Sequence, residues 1–336
     1  VDMHEPLMFL HNLDTTIKEP FASNPAVLDA VEKNHKKLQI TMTKLYPGNL
    51  VLSLSSGIMY HRLVDRITAL NDVPREPLVP RRLGKNMCVP FGKILRGKVV
   101  PNTVTKTLHT DKVYEPDLNS FTIEPFPYYS PLKSQIETIK SFDRPVILVD
   151  DLVHTANRLQ VLVPQLREDG IPIKKVVVGV LSGYGRDLMQ CLKVPVESIY
   201  SMPNLRQWFV ESTLYPFIGG DTVRREEMKV AGLQPSINMI LPYATPRLSG
   251  CSREALVEFS ACCIENSRDL FQVLEAEYRK MYAKNLTLSR LSEAVILPLC
   301  PDKGSCMEYD ENLAASVYLE NDLETLWRMK EFMIKG

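Results

Sequence analysis

The stretch Val146-Ile147-Leu148-Val149-Asp150-Asp151-Leu152-Val153-His154-Thr155-Ala156-Asn157-Arg158 decides how this chain folds. Its first four residues are apolar and read as a buried-type strand, and two acids close it. A tight loop follows. Leu159 to Glu168 then reads as an amphipathic helix, limited by Pro164 and closed by Asp169-Gly170. Lys175-Val176-Val177-Val178-Gly179-Val180-Leu181 gives a second buried-type strand. A strand, a crossover helix and a strand predict an α/β fold with a parallel sheet and helices on both faces.

The geometry predicts where a ligand sits. In open α/β sheets ligands bind outside the carboxyl ends of the strands, and Asp150-Asp151 stand at such an end. The helix beginning near Asn157 or Arg158 starts with backbone N–H groups that lack internal partners, and its dipole favours an anion. One loop therefore offers two carboxylates beside an anion cradle. A ligand with hydroxyls or a hydrated cation at the acids and a phosphate at the helix fits it, and a ribose 5-phosphate has that shape. Three other readings compete. Solvated acids at a strand end would look alike. A Walker-B strand requires an upstream Gly-x-x-x-x-Gly-Lys-Ser/Thr, and Gly84 to Gly92-Lys93-Ile94 has the wrong spacing and no hydroxyl. A phosphoacceptor receiver domain would carry its acids near the start of a much shorter chain.

Outward from this stretch, Val194 to Tyr200 reads as a further strand and Leu132 to Lys140 as a short helix. Residues 116–131 contain Pro116, Pro125, Pro127 and Pro131 and read as a long surface connection. Residues 81–112 carry Arg81, Arg82, Lys85, Lys93, Arg96, Lys98, Lys106 and Lys112 against one acid, Asp111. Near the N-terminus, Asn24-Pro25 predicts an N-cap and a helix running to about Leu45, stopped by Pro47-Gly48. A short strand over 49–54 leads through Ser55-Ser56-Gly57 into a helix from Ile58 to Leu70. Residues 204–250 are loop-rich. Residues 252–284 form a strong helix with Leu256, Phe259, Cys263, Leu270, Leu274, Tyr278 and Met281 on one stripe, and 311–333 form another. The expected organisation is an N-terminal arm and helix over 1–44, an α/β core over 45–203 and a mainly helical region over 204–336.

Composition narrows the class. At roughly 150 residues per domain, the 336 residues predict two domains. Hydrophobic residues at 45% and charged residues at 24% exclude a disordered chain. Lys+Arg of 40 equals Asp+Glu of 40, so overall charge steers no polyanion. Nucleic acid is an unlikely partner for the same reason, and because the aromatics Phe126, Tyr128 and Tyr129 lie outside the charged run. No apolar run approaches the roughly 18 residues of a membrane span, and no signal peptide opens the chain. The absence of an initiating Met reads as processing or, preferably, as a segment of a longer polypeptide. Seven Cys, irregularly spaced, give no disulfide framework and suit a reduced cytoplasm. Cys300 and Cys306 find no second pair or His cluster to complete a zinc site.

Residues 146–158 resemble the phosphoribosyl-pyrophosphate (PRPP) loop of type I phosphoribosyltransferases, which has a hydrophobic strand, two acids, two apolar residues and a small phosphate loop. The departures are His154, where a small residue is usual, Ala156 in place of glycine, and Arg158 in place of a hydroxyl residue. The resemblance implies a doubly wound, mainly parallel sheet of phosphoribosyltransferase type. It implies transfer of ribose 5-phosphate from PRPP to a nitrogenous acceptor with release of pyrophosphate. Asp150 and Asp151 would hold the ribose hydroxyls and a water-linked Mg²⁺. His154, Thr155, Ala156, Asn157 and Arg158 would surround the 5-phosphate. Ser55, Ser56 and Gly57 occupy the place of the pyrophosphate loop, and the basic region that of a closing loop, with Lys106, Arg96 or Lys93 as the cation on the leaving group. Tyr184 and Trp208 are candidates to stack on the acceptor. A non-catalytic PRPP or nucleotide module of a larger polypeptide is the alternative, and a homo-oligomer or a covalently linked further domain stays open.

Overall fold

The computed structural model describes residues 5–80, 82–225, 229–246, 248, 250–303 and 308–335, with side chains through 331. Arg81 of the basic region, Cys306 and the first four residues, on which readings above touch, lie outside them. The architecture is α/β with parallel-rich sheets and a helical C-terminal part. The strands are β1 (Leu7–His11), β2 (Val51–Ser55), β3 (Met87–Pro90), β4 (Val104–Thr105), β5 (Thr110–Tyr114), β6 (Phe121–Pro125), β7 (Val146–Val153), β8 (Ile173–Ser182), β9 (Val196–Met202), β10 (Gln207–Val210), β11 (Asp221–Val223), β12 (Gln234–Ile237) and β13 (Leu299–Pro301). The α-helices are α1 (Pro25–Leu45), α2 (Ser56–Leu70), α3 (Leu132–Lys140), α4 (Asn157–Glu168), α5 (Gly183–Cys191), α6 (Glu211–Leu214), α7 (Arg253–Tyr282) and α8 (Ala315–Lys335).

Two compact units divide the chain. One comprises residues 54–112 and 122–206, the other residues 1–53, 113–121 and 207–336. The division differs from the chain-order one expected above. Residues 1–44 are no separate arm, because the apolar face of α1 packs on α7 within the second of these units.

The first unit is built on a parallel sheet of order β4-β3-β7-β8-β9. Its central strand β7 is buried on both faces, which explains the unbroken apolar run Val146 to Val149. On one face Val146, Leu148, Val176 and Val178 pack against Ile136 and Ile139 of α3 and Leu159, Leu162, Val163 and Leu166 of α4. On the other, α2 packs on β8. By register Met87, Cys88, Val89 and Pro90 stand opposite Val146 to Val149, so β3 ends just before the level of Asp150.

Two further sheets are present, one of order β10-β1-β2 and a mixed one of order β13-β12-β11-β5-β6. The helical reading of 204–336 holds for α7 and α8, and four short strands of the same region add to both sheets. Residues 116–131 likewise contain a strand, β6, instead of only a connection. Of the α7 stripe, Phe259, Cys263, Leu270, Leu274 and Tyr278 are buried, whereas Met281 is exposed at the helix end. Between α1 and α7, Asn34 Nδ2 donates to the Asn266 carbonyl (2.7 Å) and Asn266 Nδ2 to the Asn34 carbonyl (2.9 Å). Both side chains are buried. Removing one leaves buried polar atoms unpaired, which costs about 1–3 kcal/mol. Asn34→Ala is expected to lower stability by that amount in urea denaturation followed by circular dichroism, and an unchanged midpoint would show the pair contributes nothing.

Candidate functional site

The candidate site lies in the sheet-centred unit, at the carboxyl end of β7. Asp150 and Asp151 are half-buried there, still within the strand. The loop after β3 folds onto them. Asp151 Oδ2 accepts the Lys93 N–H (2.7 Å) and its Oδ1 the Ile94 N–H (3.1 Å). Such approach requires glycine at 92, because a Cβ there would lie 2.5 Å from Asp151 Oδ1 and 2.7 Å from Asp150 Oδ1. Asp150 Oδ1 accepts the Asp151 N–H (2.8 Å). The charges facing Asp150 are those of Arg158, Asp151 and Arg96.

The charges around the pair are partly desolvated. The surrounding protein pushes the Asp150 carboxyl up to about 7; Arg158 opposes this, Asp151 reinforces it, and Arg96 opposes it more weakly. Burial depresses the Arg96 guanidinium below its ordinary value, and neighbouring Arg158 adds to this. Arg96 Nε and Nη2 are buried and have no hydrogen-bond partner among the described residues. Its guanidinium sits 5.3 Å from the Phe126 ring centroid, a cation–π contact that does not satisfy those donors. Arg158 Nη1 donates to the Phe91 carbonyl (3.2 Å).

The loop after the acids leads into α4. Ala156 takes the left-handed conformation (φ 50°), and no side chain caps the helix N-terminus. This is the position where the resembled family most often has glycine, which reaches that region freely. Among the described residues, the backbone N–H groups of the first turn therefore have no capping side-chain acceptor. Asn157 Nδ2 donates to Thr155 Oγ1 (2.9 Å). His154 Nδ1 pairs with Ser182 Oγ (2.8 Å), and burial holds the imidazole below its ordinary range. Tyr184, exposed, meets His154 edge-on at 5.9 Å. Helix α5 comes close because position 185 is glycine, where a Cβ would lie 2.2 Å from the Val153 carbonyl oxygen.

The other candidates fall differently. Ser55 caps α2, its Oγ accepting the Gly57 N–H (3.2 Å), and Ser56 is buried. The strand before them, β2, adds to the sheet of β1 and β10 and not to the sheet of Asp150. Lys106 is exposed; its backbone N–H bonds the Cys88 carbonyl (3.0 Å), and its charge helps depress His109, after burial and Arg96. Trp208 belongs to β10, in the other unit. Cys300 is buried and its thiol is pushed up to about 12.

Sequence reading missed that the aromatic segment folds back on the basic one. His109 stacks on Tyr129 with centroids 3.8 Å apart, and Arg96 lies over Phe126. The pairing is made across two loops, so no local spacing announced it.

Among solved structures, a purine phosphoribosyltransferase from Pyrococcus horikoshii Ot3 is similar over 46% of this chain and 85% of its own, at 12% identity and a TM-score of 0.24. That likeness is too slight to place the chain in a family. No family model matches the chain, and no curated protein matches it in sequence. Among the described residues no helix is long and apolar enough to cross a membrane.

The raised Asp150 carboxyl sets a pH dependence. Its folded-state value of about 7 lies above the roughly 3.9 of an unfolded chain, so the folded protein holds a proton that the unfolded chain gives up. Stability therefore falls as pH rises from about 4 to about 7. Asp150→Asn removes that loss. In magnesium-free buffer its Tm should match wild type near pH 4.5 and exceed it by ~2–4 °C at pH 8. A variant less stable than wild type at pH 8 would contradict the assignment.

Proposed function

We propose that this chain is a PRPP-dependent phosphoribosyltransferase with a fold of that type, transferring ribose 5-phosphate to a nitrogenous acceptor and releasing pyrophosphate. One observation carries the reading. The acid pair at the carboxyl end of β7 and the uncapped N-terminus of α4 belong to one loop, so hydroxyl-binding and phosphate-binding groups are adjacent. The backbone N–H groups around Ala156, Asn157 and Arg158, with Thr155 and His154 beside them, would take the 5-phosphate. Asp150 and Asp151 would accept hydrogen bonds from the ribose hydroxyls.

In the reaction the acceptor nitrogen forms a bond to ribose C1 as the C1–O bond to pyrophosphate breaks, and the electron pair leaves with pyrophosphate. Positive charge at the sugar is favoured by the two carboxylates. Negative charge on the leaving group calls for preorganised donors. Arg96 supplies buried guanidinium N–H groups without partners, with Lys93 on the same loop and Lys106 as a more exposed cation. The hard carboxylate oxygens suit Mg²⁺ held through water or ligand hydroxyls, since Asp151 already accepts two backbone N–H groups. Bound there, Mg²⁺ would neutralise pyrophosphate charge. Tyr184 offers an exposed ring beside His154 for the acceptor.

A second reading has an observation of its own. His154 and Arg158 depart from the resembled pattern, and both are engaged inside the protein, on Ser182 and on the Phe91 carbonyl. That favours a PRPP- or nucleotide-binding module without turnover. Calorimetric titration of PRPP with Mg²⁺ tests both. The account expects micromolar binding to the intact chain and at least a tenfold loss in the Asp150→Asn/Asp151→Asn double variant. Pyrophosphate release with a panel of nitrogenous bases then selects the enzyme, binding without release selects the module, and no heat from either protein removes the PRPP reading.

A further inference from the structure

The parallel strands β1 and β10 of the second unit run side by side, with Leu10 opposite Val210. The next residues, His11 at the end of β1 and Glu211 at the start of α6, therefore stand together at the carboxyl end of the sheet. Helix α1 brings His35 to the same point, its ring 3.9 Å from that of His11. One ligand-capable atom from each of the three lies within 4.8 Å of the others.

The atoms converge in an ordered way. Glu211 Oε2 is hydrogen-bonded by His11 Nδ1, and His35 Nδ1 lies 3.5 Å from the same oxygen. His35 Nδ1 is buried and makes no hydrogen bond among the described residues. The outward atoms, by contrast, are occupied. Glu211 Oε1 accepts from Tyr215 OH (2.9 Å), which itself accepts from Asn266 Nδ2 (2.8 Å). His35 Nε2 pairs with Ser53 Oγ (3.2 Å). Outer partners that fix the orientation of an imidazole and a carboxylate, while their inner atoms face one another, are what a metal site needs. The 3.5 Å between His35 Nδ1 and Glu211 Oε2 approaches the edge, about 3.4 Å, of a tetrahedron with bonds of ~2.1 Å, whereas His11 Nδ1, hydrogen-bonded to that oxygen, must draw back for an ion to enter. Glu211 is fully buried, and the two imidazoles are 22% and 17% exposed, so the cluster lies nearest the surface on its histidine side.

We propose that His11, His35 and Glu211 form a binding site for one divalent transition-metal ion of the zinc class. Two imidazoles and a carboxylate without thiolate select Zn²⁺, Co²⁺ or Ni²⁺ over Mg²⁺ or Ca²⁺. The site shares no residue with the acid pair of the other unit, so it stands or falls apart from the PRPP reading.

Titration of the full chain with Co²⁺, followed by visible absorption, and with Zn²⁺, followed by calorimetry, tests it. The expected result is one ion per chain, with ligand-field bands of a four- or five-coordinate ion and a raised Tm. His35→Ala and His35→Gln should each weaken binding about tenfold or more, with circular dichroism confirming the fold. His61→Ala, in the other unit, should bind like wild type. Absence of binding by the wild-type chain, or binding unchanged in both folded His35 variants, would overturn the proposal and leave the three residues as a hydrogen-bonded structural cluster.

Discussion

The Asp151 carboxylate is the joint on which the sheet-centred unit turns. Its two oxygens accept the backbone N–H groups of Lys93 and Ile94, so the loop leaving β3 is fastened to the end of β7. Hydrogen bonds from N–H to a carboxylate are among the stronger ones. This contact fixes three things together: where the acid pair points, where the basic loop begins, and why residue 92 carries no side chain. A larger residue there would meet both carboxylates before the loop could close.

That closeness has an electrostatic consequence. Burial under the loop raises the Asp150 carboxyl, Arg158 opposes the rise, and the neighbouring Asp151 adds to it. Arg96 carries the complementary strain, a desolvated guanidinium with buried donors left without partners. Unpaired buried donors of this kind persist where a ligand or solvent completes them. The site thus holds opposite charges near one another in partly desolvated surroundings.

The legible parts of this chain are those whose burial is continuous. β7, α4 and β8 announce themselves because a parallel strand covered on both faces must be apolar throughout, and because the acids interrupt that run only where it leaves the core. Helix α1 is legible through its cap, Asn24, and α1 and α7 both through the spacing of their buried residues. The strands β11, β12 and β13 are not, because three or four residues in a loop-rich stretch give too short an alternation to read. Of the site, Asp150, Asp151 and the helix start were legible. The reach of the β3 loop onto Asp151, the stacking of His109 on Tyr129 and the meeting of His11, His35 and Glu211 were not, since each joins segments far apart in the chain. Ser55 and Ser56 show the converse: a local pattern that fits a loop by spacing also fits a helix cap, and the structure uses Ser55 as one.

The most direct measurement on the central claim is amide hydrogen exchange of the full chain with and without PRPP and Mg²⁺. A ligand bridging the acid pair and the start of α4 must slow exchange in two separated segments at once, 92–96 and 154–159, while α7 and α8 stay as they were. Protection of both segments together is the predicted result. Protection confined to other elements, or none at saturating PRPP, would contradict the account.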